Sequence, residues 1–228
     1  MAESWSDHRP GRAPLLVCGV LGTLGALLIL IADIVYNLFG GDRLGTGLYI
    51  SSYFGIFLFP LWWAGIWVLY RGLRPAGLFW SLFPCLLFAF LVSTVNVSGH
   101  ASYPFRAAIA DAAESPDQAV VLAARQLEAQ VLEYTGGLGL IQTVLEVVVS
   151  VWIAIPILRG RTLFPRWLAL LIPIFPSVAA LLIDLLRPGF FEGIAPYIAS
   201  GCMVFAFGAA TVVLLVDQRG RAPGRDGH

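Results

Sequence analysis

The sequence contains no lysine, and only 12% of its 228 residues are charged. A soluble domain carries about 25% charged residues, so this composition excludes an ordinary soluble protein and indicates an integral membrane protein. The mean hydropathy of +0.82 points the same way. The fourteen basic residues form no cluster of the kind that binds nucleic acid, so we expect no nucleic-acid partner.

Cysteine and histidine are also scarce, with three of each. The cysteines lie far apart in apolar stretches and lack the spacing of metal ligands, so we expect them to pack as small hydrophobic residues. His8 and His228 lie in the terminal segments, which leaves only His100 in the body of the chain. We therefore expect no metal site and no cofactor.

Several catalytic motifs are missing as well. The sequence has no G-x-x-x-x-G-K-[ST] phosphate loop, no G-x-S-x-G nucleophile elbow and no H-E-x-x-H zinc helix. It also lacks the D-x-x-D pairs that would bind a metal diphosphate. If the substrate is a prenyl compound, this composition favours protonation over metal-dependent loss of diphosphate.

Long apolar runs dominate the chain instead. A helix needs about 20 apolar residues to cross the hydrocarbon core of a bilayer, and six stretches qualify: 14–39, 47–70, 76–98, 137–158, 165–186 and 193–216. The first is too long in its apolar core for a cleaved signal peptide and has no cleavage site. We predict an all-α fold, a six-transmembrane-helix bundle that forms a single transmembrane domain over 1–228.

The arginines predict how the bundle is oriented. Four lie on one side of the predicted membrane: Arg43, Arg106, Arg125 and Arg187. Ten lie on the other: Arg9, Arg12, Arg71, Arg74, Arg159, Arg161, Arg166, Arg219, Arg221 and Arg225. Because arginine is enriched on the cytoplasmic side, both termini should be cytoplasmic. The expected location is a cell membrane, as a multi-pass protein of the bacterial plasma membrane.

The 99–136 loop should contain one amphipathic extramembrane helix over about 115–134. Ser115 is placed to cap it, Gln118 would complete a capping box, and Gly136 and Gly137 would end it. Its apolar face suits the outer membrane surface or the end of the bundle. The sequence leaves open whether this helix is a connector or a moving lid.

Polar residues within the predicted spans gather in their outer halves. Glu146 is the deepest acid, with Gln142 one helical turn before it, and Asp33 lies near the outer end of the first span. Acids within a membrane mark functional sites by default. We therefore predict a pocket that opens outward, with Glu146 and Asp33 as catalytic groups. Predicted substrate-binding residues are Gln142, Asn96, His100, Tyr36, Asn37, Asp184 and Tyr197.

Structural roles compete with each of these assignments. Protonated Glu146 could simply donate a hydrogen bond to Asn96, and Arg43 could pair with Asp33. Ser93 should share a helical face with Asn96 and His100, since the three are spaced at about one and two turns. His100 suits proton transfer but could equally anchor the membrane boundary.

The pocket suggests acid–base catalysis on a hydrophobic, isoprenoid-like small molecule. A carboxylic acid in apolar surroundings favours its protonated form and can act as a general acid, so Glu146 would donate a proton and Asp33 would be the base. Aromatic residues, 13% of the chain, can stabilise developing positive charge. A cyclisation or isomerisation of this kind would resemble the chemistry of small multi-span terpene cyclases, which are lyases or isomerases. The resemblance lies in the types of residue available, and no sequence motif of those enzymes is matched.

Two other functions remain open at this stage. A small proton-coupled transporter would also use intramembrane acids, although binding sites of transporters usually lie near the midplane. A non-catalytic subunit that binds lipid or a partner protein would use the same polar groups as hydrogen-bonding contacts between helices. The predicted partners in the catalytic case are the lipid bilayer and the hydrophobic substrate.

Overall fold

The computed structural model describes residues 11–39, 46–187 and 195–220. Helix dominates these residues, and none of them lies in a β-strand. Five helical stretches are long and apolar enough to cross a bilayer: Arg12–Val35, Ser52–Ala76, Leu78–Ala112, Gln118–Leu158 and Ser200–Arg219. The prediction of an all-α membrane protein is therefore confirmed.

The α-helices follow one another with short connections. In chain order they are α1 (Arg12–Phe39), α2 (Thr46–Leu58), α3 (Trp62–Leu73), α4 (Leu78–Phe90), α5 (Val97–Ala101), α6 (Tyr103–Ala112), α7 (Gln118–Leu158), α8 (Ile174–Leu186) and α9 (Ala195–Gly220). Short segments of 3₁₀ or π helix join some of the α-helices. These are the 3₁₀ turns Phe59–Leu61, Arg74–Ala76 and Arg166–Leu171, and the π turn Leu91–Asn96.

Helix α7 corrects one sequence prediction. The amphipathic helix expected to end at Gly136 and Gly137 instead continues into the next span as one helix of 41 residues. Its N-cap is Asp117, whose side chain accepts the Ala119 N–H at 2.8 Å, in place of the predicted Ser115. A glycine inside a helix costs only about 1 kcal/mol relative to alanine. That is too little to interrupt a helix whose following residues need intrahelical hydrogen bonds inside the bilayer.

The predicted span 165–186 is also corrected, because it is not one continuous helix. Its first part is the 3₁₀ turn Arg166–Leu171, and its second part is α8. Ile172 between them is extended, and Pro173 is the N-cap of α8. Proline pushes the preceding residue away from helical geometry and cannot donate a backbone hydrogen bond, so Pro173 accounts for the break.

Helix α1 packs against α2, α3 and α9. Gly22 of α1 faces Gly65 of α3 so closely that a Cβ on Gly22 would overlap the Gly65 backbone, and Gly19 lies equally close to the Thr211 side chain of α9. Small residues such as these let the backbones of two membrane helices approach closely. Gly65 lies in turn against the fully buried Phe207 ring. Small residues on α1 therefore bring three helices together at the centre of the bundle.

The α1–α3 contact makes Gly22→Ala a direct test of the packing. The added methyl group has no space against the Gly65 backbone, so we expect a loss of stability of about 1–3 kcal/mol, typical of overpacking. Gly137→Ala is the matched control, since nothing lies within 4 Å of a Cβ at Gly137, and it should leave stability unchanged or raise it. Thermal unfolding in detergent, followed by circular dichroism, measures both. Equal unfolding temperatures for Gly22→Ala and wild type would contradict the close contact.

Candidate functional site

A cavity of about 410 Å³ lies within the bundle. Residues of α1, α3, α4, α5, α6, α7 and α9 line it, together with Ile172 and Pro173 before α8. Small-molecule sites in proteins usually measure about 300–1,000 Å³, so the cavity is large enough for a small organic ligand.

Five of the nine predicted site residues line this one cavity: Asp33, Asn96, His100, Gln142 and Glu146. They come from α1, the π turn, α5 and α7, so residues up to 113 positions apart along the chain are brought together. Their placement is an observation, whereas their catalytic and binding roles stay predictions. The cavity gives these polar groups a common space to face inside an otherwise apolar bundle.

The other four predicted residues are Tyr197, Tyr36, Asn37 and Asp184. Tyr197, in α9, is half-buried and does not line it. The side chains of Tyr36, Asn37 and Asp184 lie outside the described residues. The substrate-binding roles predicted for these four therefore gain no support from the geometry.

Polar and apolar residues are unevenly distributed over the cavity wall, although Ser150 also lines the part that is mainly apolar. Along α7, Glu146 is followed one and two turns later by the buried Val149 and Ile153. Between α4 and α5 the order is reversed, because the buried Leu91 precedes His100. Helices that run in opposite directions bring such ends together, so the order fits a cavity with one polar and one apolar end.

Asp33 is held by a hydrogen bond between the first and last helices. The Ser200 hydroxyl of α9 donates to Asp33 Oδ2 at 2.6 Å, a short distance typical of a bond to a carboxylate. The sequence places Ser200 at the start of its span but gives no sign that it faces Asp33, 167 positions earlier. This bond fixes one carboxyl group in the cavity wall and supplies a donor that stabilises its charged form.

Glu146 has a different environment. Within the described part of the chain it has no hydrogen bond and no ion pair, and neither does its neighbour Gln142. Asn96 Oδ1 is buried and likewise has no hydrogen-bond partner among those residues. The bond from Glu146 to Asn96 that a purely structural role would use is therefore not formed, and the Glu146 side chain is left facing the cavity.

His100 is fixed in the wall by aromatic neighbours. It is 7% exposed, and its ring makes edge-to-face contacts with Phe59 and Tyr103, at centroid distances of 5.3 and 5.0 Å. A Cβ on Gly55 of α2 would overlap the imidazole, so only glycine leaves room for it. His100 therefore has a fixed position in the cavity wall. A residue that anchors the membrane boundary would instead be exposed to the lipid headgroups.

Ser93 departs from the face predicted for it. Its hydroxyl accepts a hydrogen bond from Trp63 Nε1 at 2.7 Å, and it does not line the cavity with Asn96 and His100. The π turn Leu91–Asn96 contains all the residues between Ser93 and Asn96. A π turn has more residues per turn than an α-helix and so changes which residues share a face.

Aromatic residues form much of the remaining wall. Trp62 packs edge to face with Phe59 and Phe88, at centroid distances of 5.2 and 6.2 Å, and all three line the cavity. The sequence suggests that aromatic residues could stabilise positive charge, but it does not identify these three as the ones that line the cavity. Their rings surround the space that the two acids face, and the negatively charged face of an aromatic ring favours a nearby cation.

The Asp33–Ser200 bond can be tested by a double-mutant cycle. We expect Ser200→Ala to lower stability by about 0.6–1.7 kcal/mol, the range measured for hydrogen bonds between membrane helices. In the Asp33→Leu background the same change should cost less, because leucine has no oxygen to accept the hydrogen bond. Unfolding of the four proteins by sodium dodecyl sulfate, followed by circular dichroism, gives the coupling. A coupling of zero would show that the two side chains do not interact.

Among residues 11–39, 46–187 and 195–220, no three His, Cys, Asp or Glu side chains lie close enough together to hold a metal ion. The polar groups that line the cavity include two carboxyl groups, an imidazole and two amides. No protein-family model matches the chain, and none of the curated proteins or solved structures compared with it matches it either.

Proposed function

We propose that this protein is a membrane enzyme that carries out acid–base catalysis on a hydrophobic, isoprenoid-like small molecule. The observation that carries the proposal is the contrast between the two carboxyl groups of one cavity. Asp33 receives a hydrogen bond from Ser200, whereas Glu146 has no hydrogen bond or ion pair among the described residues. Pairs of acids whose surroundings differ in this way commonly divide the roles of base and acid.

Glu146 is the proton donor in this proposal. Its proton adds to one carbon of a substrate double bond, which leaves Glu146 as a carboxylate and the substrate as a carbocation. The cation then forms a new carbon–carbon bond or shifts its charge, and it loses a proton to Asp33. Return of that proton to Glu146 completes the cycle. The product is an isomer of the substrate, so the reaction needs no oxidant, reductant or cofactor.

The remaining wall residues have supporting roles in this reaction. Gln142, one turn from Glu146, forms a hydrogen-bonding wall for the substrate together with Asn96 and His100. Phe59, Trp62 and Phe88 stabilise the positive charge and exclude water, which would otherwise capture the cation. A terpene cyclase or isomerase activity fits this set of residues best.

Packing beneath the cavity favours catalysis over proton-coupled transport. Leu73, Ile157 and Leu168 are fully buried there, and the Leu163 N–H donates to the Gly72 carbonyl at 2.9 Å. The Phe164 ring occupies the space that a side chain at residue 72 would fill. A transporter needs a route to both membrane faces, and this side of the bundle offers dense apolar packing.

We also propose six crossings with both termini in the cytoplasm, in a bacterial plasma membrane. Five of these crossings correspond to the five long apolar helices. The sixth crossing would be the 3₁₀ turn Arg166–Leu171 followed by α8. A 3₁₀ turn rises about 2.0 Å per residue and an α-helix about 1.5 Å. The two pieces together reach roughly 30 Å, enough for the hydrocarbon core.

Glu146→Gln tests the assigned proton donor. The amide has nearly the same shape but cannot donate an acidic proton, so we expect product formation to fall at least about 100-fold, the usual contribution of general acid catalysis. Glu133→Gln is the control, because Glu133 lies on the same helix but is exposed. Apolar metabolites of a host that expresses each protein are compared by mass spectrometry. The expected result is a new compound, isomeric with a host metabolite, in wild type and Glu133→Gln only.

The same comparison can contradict the proposal in two ways. If Glu146→Gln forms the product at the wild-type rate, Glu146 is not the acid. If wild type yields no new apolar compound even when supplied with a mixture of linear isoprenoids, catalysis is the wrong function. Proton-flux measurements in proteoliposomes would then test transport.

The number of crossings can be tested with fused reporters. Six crossings place both termini on one side of the membrane, and five place them on opposite sides. We expect green fluorescent protein to fluoresce, and alkaline phosphatase to be inactive, when either is fused to either terminus. Active phosphatase at one terminus alone would mean an odd number of crossings, in which case the segment from Arg166 to Leu186 does not span.

A further inference from the structure

We propose that the cavity binds lipophilic amines as ammonium ions, with Glu146 as the counter-ion. This inference rests on the proposed function, because an ammonium–carboxylate pair reproduces the charges that exist just after Glu146 has protonated a substrate. It goes further by naming a ligand class, a basic nitrogen carried on an apolar body, which need not be the substrate.

The charges of the cavity wall point to a cation. Two carboxyl groups, Asp33 and Glu146, line it, while none of the described lining residues is arginine. His100 and Tyr103 are the other titratable groups among those residues. An anionic ligand would meet two acids with no arginine to pair with, whereas a cation would find a carboxyl group that the described residues leave without an ion pair.

The apolar part of the wall suits the body of such a ligand. Phe59, Trp62, Phe88 and Met203 are all less than a tenth exposed and face the same space as Glu146. Aromatic faces attract ammonium groups more strongly when water is excluded. A substituted amine with phenyl or alkyl groups can therefore place its nitrogen at Glu146 and its hydrocarbon among the rings.

Binding involves one proton transfer. The amine nitrogen takes the proton of the Glu146 carboxyl group, so an N–H bond forms as the O–H bond breaks. The resulting ammonium donates a hydrogen bond to the carboxylate. Analogues of a charged intermediate bind more tightly than neutral molecules of the same shape, so the charge should matter more than the hydrocarbon.

Two ligands of the same shape, one with a basic nitrogen and one without, separate the contribution of the charge from that of the hydrocarbon. N,N-dimethyl-3-phenylpropylamine and (4-methylpentyl)benzene differ only in that CH replaces nitrogen. Their binding to the purified protein in lipid nanodiscs is measured by equilibrium dialysis, and uptake by empty nanodiscs is subtracted. We expect the amine to bind at least about tenfold more tightly, as a charged hydrogen bond would provide. Glu146→Gln should reduce that preference to within about twofold, while the exposed control Glu133→Gln should keep it.

The outcomes distinguish this inference from the proposed function. Equal binding of the two ligands by wild type, or a preference that survives Glu146→Gln, would overturn the amine site. If product formation nevertheless depended on Glu146, catalysis would stand without it. If the preference depended on Glu146 but no product formed, the cavity would be an amine-binding site and acid catalysis would be the part rejected.

Discussion

A carboxyl group inside the hydrocarbon layer must be paired or must face an enclosed space, and the rest of this structure depends on that constraint. An unpaired charge there costs several kcal/mol. Asp33 meets the constraint because the Ser200 hydroxyl donates a hydrogen bond to its Oδ2 atom at 2.6 Å. This bond links the first and last long helices. Glu146 meets it by facing a cavity that Gln142 of the same helix also lines, together with Asn96 and His100.

Close packing elsewhere lets the bundle keep such a cavity. Gly22 and Gly65 bring α1 and α3 into backbone contact, while Gly55 gives the His100 ring its place against α2. Phe164 fills the space beside Gly72 on the opposite side of the cavity from the polar residues. The helices are therefore held tightly around and beneath an open space of about 410 Å³. The cavity therefore combines carboxyl, amide and imidazole groups with aromatic side chains in one wall.

The sequence predicts much of this arrangement because the bilayer restricts the secondary structure that an apolar segment can adopt. Runs of about 20 apolar residues must be helical, and the few polar residues inside them must face inward. Position along the chain therefore predicts a similar depth in the membrane for Glu146, Asp33 and Asn96. The composition-based expectation of a membrane protein is confirmed on the same grounds.

What sequence could not predict depends on three-dimensional contacts or on small energies. The pairing of Ser200 with Asp33 joins distant segments, and the aromatic wall around Trp62 looks like ordinary packing in one dimension. The π turn Leu91–Asn96 moves Ser93 away from its expected face. Gly136 and Gly137 carry a helix-ending pattern that the bilayer overrides, while Pro173 breaks a run that hydropathy alone treats as continuous.

Deuterium labelling follows the proposed transfer of a proton from Glu146 to carbon most directly. Membranes that contain the protein would be incubated in D₂O with an extract of apolar isoprenoids, and mass spectrometry would detect deuterium bound to carbon. We expect a compound to gain deuterium with the wild type and not with Glu146→Gln. Deuterium uptake that is the same in both, or absent in both, would contradict it.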